Sequence, residues 1–170
     1  LSVQLAHEST LAGSAGTLRR NWDFVRSERR FLVCNADNLT DMDLSRLVEF
    51  HDESGSALTM ALFETDRPKE CGIVATDAQG AVQHFDEKPQ VPKSNLANGG
   101  VYVMDTRIET LLPTSEPADI AFDLLPKCLP QTYGWRWDGM LSDIGTLQAH
   151  AEAQRTFQER DSLRHAAQSE

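Results

Sequence analysis

Phe31-Leu-Val-Cys-Asn-Ala-Asp37 is the stretch that decides the fold of this 170-residue chain. A short, continuous apolar run that ends in polar residues is typical of a strand buried on both faces of a sheet. The polar residues then lie at the carboxyl end of the strand, where α/β proteins place their chemistry. Asp37 is therefore the first candidate functional residue.

The segments that follow alternate between helix and strand patterns. Thr40 and Asp41 can cap a helix that Gly55 ends, because a capping side chain marks a helix start and glycine a helix stop. Residues 57–63 predict the next strand. Strand, helix and strand in succession predict a layered α/β domain.

The second half of the chain adds hairpin patterns to this alternation. Residues 72–76 and 81–85 flank Asp77-Ala-Gln-Gly80, whose late glycine suits a hairpin turn. Residues 98–105 and 133–137 predict two further strands, with short helical pieces between them. Hairpins and crossovers together predict a mixed sheet in one domain.

The composition excludes several classes of partner. The chain has 16 Lys plus Arg against 26 Asp plus Glu, a formal net charge of -10, and no basic cluster. We therefore expect no nucleic acid and no membrane as a partner. Three widely spaced cysteines predict buried free thiols in a reducing compartment, so a cytoplasmic location is expected.

Two carboxylates are candidates for a metal site, although each has an ordinary explanation. Asp37 could cap the loop after its strand, and Asp143 could be a turn residue in Asp143-Ile-Gly-Thr146. Two carboxylates brought together at strand ends would bind Mg²⁺, which prefers oxygen ligands and keeps waters and substrate phosphates in its shell. Spacing alone leaves both interpretations open.

Two further motifs are ambiguous in the same way. Gly13-Ser14-Ala15-Gly16 predicts a loop before a helix over 17–25, and a planar ligand could lie against its backbone, although an ordinary glycine turn explains it as well. Glu87 and Lys88 are adjacent, so their side chains point to opposite faces unless the strand ends there. We expect the five histidines to be surface or satisfied core residues.

The order of these segments resembles the sugar-1-phosphate nucleotidyltransferase family, and most of all its mannose-1-phosphate guanylyltransferases and heptose-phosphate guanylyltransferases. The stretches that carry the resemblance occur in family order. They are Glu8 with Leu11-Ala-Gly-Ser-Ala-Gly16, Phe31 to Asp37 with Leu39-Thr-Asp-Met-Asp-Leu44, Cys71-Gly-Ile-Val74, Phe85-Asp-Glu-Lys-Pro89, Ser94-Asn-Leu-Ala-Asn-Gly-Gly-Val-Tyr102 and Ser142-Asp-Ile-Gly-Thr146.

The resemblance implies a Rossmann-like three-layer αβα fold with a mixed sheet. It also implies formation of an NDP-sugar, GDP-mannose or a related GDP-sugar, and pyrophosphate from an NTP, expected to be GTP, and a sugar 1-phosphate. By matching position, Asp37 and Asp143 are the catalytic residues that would hold Mg²⁺. The base would contact Gly13, Ser14, Ala15 and Gly16, and the sugar phosphate would contact Gly72, Glu87, Lys88 and Asn98.

The sequence departs from the family pattern in three respects. Ala36 stands where the family often has Gly, and Ser14 where it often has Thr; both changes are small. The family also begins with a strand, a glycine-rich loop bearing an Arg, and a later Lys that grip the triphosphate, and nothing in 1–170 matches them. We therefore interpret 1–170 as the C-terminal part of one nucleotidyltransferase domain, poorly active alone and prone to form homo-oligomers through unpaired edges.

Two other functions remain open at this point. A sugar-nucleotide-binding or regulatory subunit of the same fold would not need the missing loop. A metal-dependent glycosyltransferase would use the acidic cluster of Asp37, Asp41 and Asp43 to bind a nucleotide diphosphate through a metal. Asp41 and Asp43 also suit a helix start, because the helix dipole favours acidic residues there.

Overall fold

The computed structural model describes residues 3–167, with side chains through residue 157. Its strands and helices, in chain order, are as follows. The strands are β1 (Arg30–Cys34), β2 (Asn38–Thr40), β3 (Leu58–Glu64), β4 (Gly72–Thr76), β5 (Val82–Glu87), β6 (Leu96–Asp105), β7 (Thr132–Arg136) and β8 (Leu141–Asp143). The helices are α1 (Ser14–Arg20), α2 (Leu44–Ser54), α3 (Leu125–Cys128) and α4 (Leu147–Ala167), with shorter 3₁₀ or π segments at Trp22–Phe24, Thr106–Leu111, Ile120–Leu124 and Leu129–Gln131.

The main sheet is built around β6, its longest strand. One edge of β6 pairs antiparallel with β3, and the other edge is shared by β1 near its C-terminal end and by β4 near its N-terminal end. The strand order is β5-β4-β6-β3-β7, with β1 also on β6, and β3 and β7 are parallel. The predicted mixed sheet is confirmed. β2 and β8 form a separate two-stranded sheet.

Helix α2 packs on the sheet and is capped at both ends. The Asp43 carboxylate accepts hydrogen bonds from the backbone N–H groups of Ser45 and Arg46, and Gly55 ends the helix with φ 63°. The predicted stop is therefore confirmed, whereas the predicted cap at Thr40 or Asp41 is wrong. Two residues later in the chain, the Asp43 side chain satisfies the free N–H groups of the first turn.

The hairpin of β4 and β5 forms as predicted. The Asp77 Oδ1 atom accepts from the backbone N–H groups of Gln79 and Ala81, and Gly80 adopts φ 88°, which only glycine adopts without strain. The tip then turns toward β7, where the Gly134 N–H donates to the Gly80 carbonyl at 2.8 Å. The hairpin is thus fixed at its tip as well as at its base.

Strand β1 differs from the prediction that it is buried on both faces. Leu32 is 42% exposed and Cys34 is exposed, while Phe31 and Val33 are partly buried against the main core. Helix α2 packs mainly over β3, β6 and β7, and its Asp52 pairs with Arg30 at the start of β1. Among residues 3–167, β1 pairs with β6 alone. Within that range it is an edge strand.

The exposure of the cysteines differs from the prediction that all three thiols are buried. All three cysteines are free, but Cys34 is exposed and Cys71 half-buried, so the prediction of buried thiols is correct only for Cys128. Cys34 ends β1 and lies on the same face of that strand as the exposed Leu32. No helix within the described range is both long and apolar enough to cross a lipid bilayer.

His51 is a satisfied core residue, as expected. Its side chain is 1% exposed, its Nδ1 lies 2.9 Å from the Thr59 hydroxyl, and its Nε2 lies 3.2 Å from a carboxylate oxygen of Asp105. The Ser56 hydroxyl joins the same network. These bonds fix α2 against β3 and β6, because buried polar groups are stable only when they are paired.

Candidate active site

Asp37 and Asp143 converge at Gly145. A Cβ atom built on Gly145 would lie 3.0 Å from the Asp143 Oδ1 atom and 3.1 Å from the Asp37 Oδ2 atom. The two carboxylate oxygens are therefore separated by no more than those two distances together. We call Asp37 and Asp143 the carboxylate pair, and only a residue without a side chain leaves the space between them open.

The two-stranded sheet of β2 and β8 brings the carboxylate pair together. Asn38 pairs with Asp143 in its register, and the Ile144 N–H donates to the Asp37 backbone carbonyl at 2.8 Å. The Gly145 N–H donates to the Asp143 Oδ1 atom at 2.7 Å, which orients that carboxylate. Both side chains are exposed. The backbone is thus fixed while the carboxylates face solvent.

The carboxylate pair fits Mg²⁺ in the chemistry of its donors. Within the described part of the chain, no group of three or more His, Cys, Asp or Glu side chains could hold a metal ion. Two carboxylates are enough for Mg²⁺, which binds through one or two of them and takes substrate phosphates and waters as its other ligands. The open space at Gly145 is where a shared cation would reach both oxygens.

A diglycine in β6 connects this pair to the centre of the sheet. Gly100 has φ 66°, and a Cβ there would lie 2.6 Å from the Asn35 amide nitrogen and 2.8 Å from that of Asn38. The Asn38 amide donates to the Gly99 carbonyl at 2.7 Å. The loop that carries Asp37 therefore rests directly on β6. Asn35 and Asn38 were not predicted as site residues, and only their position beside Asp37 could have indicated them.

Gly72 and Glu87 meet at the base of the hairpin. They are register partners of β4 and β5, and a Cβ on Gly72 would lie 2.6 Å from the Glu87 Oε2 atom and 2.9 Å from the Phe85 ring. The Glu87 carboxylate thus lies over Gly72, and any side chain at 72 would displace it. Glycine at this position keeps room for the carboxylate.

Asn98 and Lys88 lie at the same base. The Asn98 amide donates to the Tyr102 hydroxyl at 2.6 Å, and its Oδ1 accepts from the Gly100 N–H at 3.1 Å. Strand β5 ends at Glu87, and Lys88 has φ 48° with its N–H donating to the Cys71 carbonyl. Because the strand ends at Glu87, the side chains of Glu87 and Lys88 need not point to opposite faces of the sheet. We call Gly72, Glu87, Lys88 and Asn98 the hairpin-base cluster.

The surroundings of this cluster favour the neutral forms of Glu87 and of its neighbour Tyr102. Partial burial raises the pKa of Glu87, Lys88 lowers it, and the Asp119 carboxylate raises it further. Burial raises the pKa of Tyr102 to about 12, against the bond from Asn98 and with Asp119 and Glu87 adding to the rise. Asp119 therefore lies near enough to act on both groups. A raised carboxyl pKa is common at functional sites.

Asp119 is a candidate that the sequence interpretation missed. It precedes the π-helical segment, where its Oδ1 accepts from the Ala121 N–H and its Oδ2 accepts from the Ser14 hydroxyl at 2.7 Å. A capping aspartate is common in helical starts, so the sequence offered only that ordinary interpretation. Through Ser14, the first residue of α1, Asp119 links that helix to the start of the π-helical segment.

The stretch Gly13 to Gly16 differs from the predicted loop. Helix α1 begins at Ser14, so three of the four residues form its first turn. The Ala118 carbonyl accepts from the N–H groups of Ala15 and Gly16, and a Cβ on Gly13 would lie 2.3 Å from that oxygen. The small side chains allow this close approach. The chain near 118 was too distant in sequence for this contact to be predicted.

Two sets of acid contacts hold this stretch in place. The Glu8 carboxylate accepts from the Ala12 N–H at 3.0 Å, a bond that lowers the Glu8 pKa, with the Thr17 hydroxyl as the next contributor. Arg19 and Arg20 both form ion pairs with Glu116. The start of α1 is thus fixed from both sides, and Ser14 is left exposed at the surface.

The sequence profile of the nucleotidyl transferase family matches residues 1–160. A glucose-1-phosphate adenylyltransferase of Clostridioides difficile (strain 630) is 32% identical over 151 residues, which are 81% of this chain and 39% of the relative. One of Thermotoga neapolitana is 30% identical over 155 residues, 83% of this chain and 37% of the relative. The chain spans less than half the length of these curated relatives.

Solved structures share the fold. A Bacillus anthracis structure described as a glucose-1-phosphate thymidylyltransferase in complex with sucrose matches with a TM-score of 0.75 and 24% identity, covering 86% of this chain and 61% of that one. HddC from Yersinia pseudotuberculosis matches with a TM-score of 0.73 and 21% identity, covering 88% and 64%. These likenesses confirm the predicted α/β fold with its mixed sheet.

The family profile extends over nearly the whole chain, and the blocks that carried the sequence resemblance occupy the carboxylate pair, the hairpin base and the start of α1. The adenylyltransferases and the thymidylyltransferase act, by their names, on glucose 1-phosphate. The comparisons therefore show the family but do not show the expected specificity for a guanylyl group and mannose. This chain belongs to the nucleotidyl transferase family.

Proposed function

We propose that the protein to which these residues belong transfers a nucleotidyl group from an NTP to a sugar 1-phosphate, and so forms an NDP-sugar and pyrophosphate. The observation that carries the proposal is the convergence of Asp37 and Asp143 on the open space at Gly145. Two phosphates must meet for this reaction, and a cation held by two carboxylates is a suitable place for them.

Each candidate residue has a role that follows from its position. Mg²⁺, held by Asp37 and Asp143, would neutralise charge on the phosphates when bound. Lys88 would contribute a positive charge to the sugar phosphate, while Glu87 and Asn98 would accept and donate hydrogen bonds to sugar hydroxyls. Since the reaction is an in-line displacement at phosphorus, positioning and charge neutralisation provide most of the catalysis.

The nucleotide is proposed to lie against the first turn of α1. The N–H groups of Ala15 and Gly16 already donate to Ala118, so these two donors hold the turn rather than the base. Gly13 and Ser14 are the more accessible half of the stretch. A planar base would therefore contact the surface formed by Gly13 and Ser14, with Ala15 and Gly16 allowing the chain to pack closely behind it.

The identity of base and sugar is the finer part of the proposal. The sequence resemblance favours GTP and mannose 1-phosphate, whereas the named relatives use glucose 1-phosphate. We propose the guanylyl reaction, and adenylyl or thymidylyl transfer to glucose 1-phosphate is the competing pair. The reaction is proposed to be cytoplasmic and Mg²⁺-dependent. As 1–170 has no match to the family's triphosphate-gripping loop, we expect this chain alone to be poorly active.

A binding or regulatory role without turnover is the second candidate. It is favoured by the contacts that hold Glu87 and Asn98 in place without a ligand, since groups fixed in this way could bind a sugar nucleotide without turnover. No observation favours the glycosyltransferase alternative, because Asp43 caps α2 and the Asp41 Oδ1 atom accepts from the Met140 N–H at 2.7 Å. Both carboxylates have structural roles.

Thermal unfolding of the 170-residue chain with ligands tests the proposal. A ligand that binds only the native state raises the midpoint, so we expect one NDP-sugar with Mg²⁺ to raise it selectively among GDP-mannose, ADP-glucose and dTDP-glucose. Asp37→Asn should abolish the rise, and Glu49→Gln, which alters an exposed carboxylate on α2, should retain it. A rise that persists in Asp37→Asn would refute the metal role.

Turnover separates the enzyme from the binding subunit. Release of pyrophosphate from NTP and sugar 1-phosphate should be measured on the longest natural protein that contains these residues. Mg²⁺-dependent release lost in Asp143→Asn supports the transferase. Selective NDP-sugar binding with no release from any sugar 1-phosphate would instead support the binding role.

A further inference from the structure

The two-stranded sheet of β2 and β8, which we call the ribbon, is too short to hold its own register. Each strand has three residues, and none of the six is fully buried. An isolated pair of strands is only marginally stable in water, and strands without a buried face specify their register weakly. A slip by one residue, about 3.3 Å along the strand, would displace Asp143 relative to Asp37. Contacts outside the ladder therefore have to fix the ribbon.

Side chains close the end of the ribbon that lies away from the carboxylate pair. There the bond from the Asp41 N–H to the Met140 carbonyl is long, at 3.4 Å. The Thr40 hydroxyl donates to the same carbonyl at 2.6 Å, and the Trp137 indole N–H donates to it at 3.3 Å. In return, the Met140 N–H donates to the Asp41 Oδ1 atom at 2.7 Å. The Thr40 bond is thus the shortest of the three bonds to this carbonyl.

The Thr40 hydroxyl joins three segments of the chain. While it donates to the Met140 carbonyl, it accepts from the Met42 N–H at 3.1 Å. Met42 is buried in a core cluster with Leu47 of α2. A hydroxyl group can donate one hydrogen bond and accept others, and here both functions are used by the backbone. Thr40 therefore connects β2 to the turn before β8 and to the segment that leads into α2.

We infer that Thr40 is a positioning residue, whose hydroxyl holds the register of the ribbon and with it the separation of Asp37 and Asp143. Thr40 follows Asp37 by three residues, about 10 Å along an extended strand. It therefore acts on the carboxylate pair through the ribbon rather than by contact. The consequence for Mg²⁺ rests on the proposed function, in which the pair holds the cation, whereas the effect on the ribbon is measurable without metal.

Two substitutions at Thr40 separate the hydroxyl from the rest of the side chain. Thr40→Val keeps the shape and the branch at Cβ but removes the hydroxyl, and Thr40→Ser keeps the hydroxyl. The Met140 carbonyl retains its two other donors in Thr40→Val, so it is not left unpaired and the fold should be retained. Thr132→Val is the matched control, because the Thr132 hydroxyl also donates to a backbone carbonyl, that of Cys128 at 2.8 Å, at the start of β7.

Hydrogen–deuterium exchange of the backbone over 141–146, without metal, is the first measurement. It should be made on the longest natural protein that contains these residues. Thr40→Val should exchange about fivefold faster than the natural protein, the factor that corresponds to the loss of one typical hydrogen bond. Trp137→Phe, which removes the longer bond to the same carbonyl, should give a smaller increase, and Thr40→Ser and Thr132→Val should give none. Unchanged exchange in Thr40→Val, or equal acceleration in Thr40→Ser or Thr132→Val, would overturn the inference.

Titration of the same proteins with Mg²⁺ alone connects the ribbon to the carboxylate pair. Loss of an outer contact that orients metal ligands typically weakens metal binding by about 10–100-fold. We therefore expect about tenfold weaker binding in Thr40→Val and unchanged binding in Thr40→Ser and Thr132→Val, with Asp37→Asn identifying the binding that belongs to the pair. Faster exchange in Thr40→Val with undiminished Mg²⁺ affinity would overturn the inference. If Mg²⁺ binding to the natural protein were insensitive to Asp37→Asn, the metal role in the proposed function would fail, and the exchange measurement alone would decide the role of Thr40.

Discussion

The carboxylate pair and the hairpin-base cluster are held by the fold in different ways. Three residues of the hairpin-base cluster lie on strands of the main sheet, with Asn98 on the longest strand and Glu87 over Gly72, and Lys88 directly follows β5. In the carboxylate pair, Asp143 ends β8 of the separate two-stranded sheet and Asp37 directly precedes β2, and both side chains are exposed. Glu87 and Asn98 are therefore held by contacts within the protein, whereas the carboxylate pair presents two like charges to solvent.

The two regions touch at Gly100, so substitution there should have the largest effect on stability. Gly100→Ala places a side chain at φ 66°, which costs about 1–3 kcal/mol in backbone strain. It also places a Cβ 2.6 Å from the Asn35 amide and 2.8 Å from that of Asn38. We expect a loss of stability and a displaced Asp37 loop, measured by urea unfolding and by the amide spectrum of residues 35–38.

Gly55 provides the control for that substitution. It also has a left-handed backbone, with φ 63°, but a Cβ there would have nothing within 4 Å. Gly55→Ala therefore carries the backbone strain without the contact with the Asp37 loop. If both variants lost the same stability, the close approach of β6 to Asn35 and Asn38 would not be a tight contact, and the two regions would be less coupled than we infer.

The second effect concerns Asp119, which accepts a hydrogen bond from Ser14 of α1 and whose charge raises the pKa of Glu87. Asp119→Ala removes the acceptor of the Ala121 N–H and of the Ser14 hydroxyl, and loss of such a cap costs about 0.5–2 kcal/mol. Asp119→Asn retains an acceptor and should lose less. The free energies of unfolding of the two variants distinguish a capping role, which Asp119→Asn partly retains, from a role that needs only negative charge, which both variants lose. A larger loss in Asp119→Asn than in Asp119→Ala would contradict the capping role.

The third effect is a pH dependence at Glu87. Its folded pKa is raised above the ordinary 4.5, so the folded chain holds this proton more tightly than the unfolded chain does. The contribution of Glu87 to stability is therefore present below 4.5 and is lost as pH rises through the raised pKa. Asp119→Asn removes a nearby negative charge and should lower the Glu87 pKa, which a carbon-13 NMR titration of the carboxyl would measure directly.

A matched change at a distant acid checks the cause of that shift. Glu49 lies exposed on α2, and Glu49→Gln should leave the Glu87 titration unchanged. An unaltered Glu87 titration in Asp119→Asn would contradict the electrostatic link between the two carboxylates and would leave partial burial as the whole cause of the raised pKa.

Local patterns predicted the sheet better than they predicted the site. Asp77-Ala-Gln-Gly80 contains the complete chemistry of its turn, and the Gly55 stop is equally local, so both were predictable. The exposure of β1 was not predictable. An apolar run indicates that a strand is suited to burial, but it does not show whether a neighbouring element covers that strand. The first turn of α1 was missed for a related reason, since its partner Ala118 is far away in sequence.

The candidate site depended on resemblance for its assembly. Asp37 and Asp143 are at opposite ends of the chain, and no spacing rule joins them; the pairing of β2 with β8 does so in three dimensions. Asp119 carried no signal beyond that of a helix cap. Residues whose role arises from a distant contact are thus the ones that sequence periodicity leaves undetected.

The smallest expected effect on stability is at Asp37, and it sharpens the contrast between the two regions. Its carboxylate is exposed and makes no hydrogen bond or ion pair with any side chain through residue 157, while Asp143 lies close by. Asp37→Asn should therefore change the unfolding free energy by no more than about 0.5 kcal/mol without metal. Titration with Mg²⁺ alone should then raise the unfolding midpoint of the natural chain and not that of the variant. A large loss of stability in Asp37→Asn without metal would mean that the carboxylate is a structural residue, and an equal response to Mg²⁺ in both proteins would place the cation elsewhere.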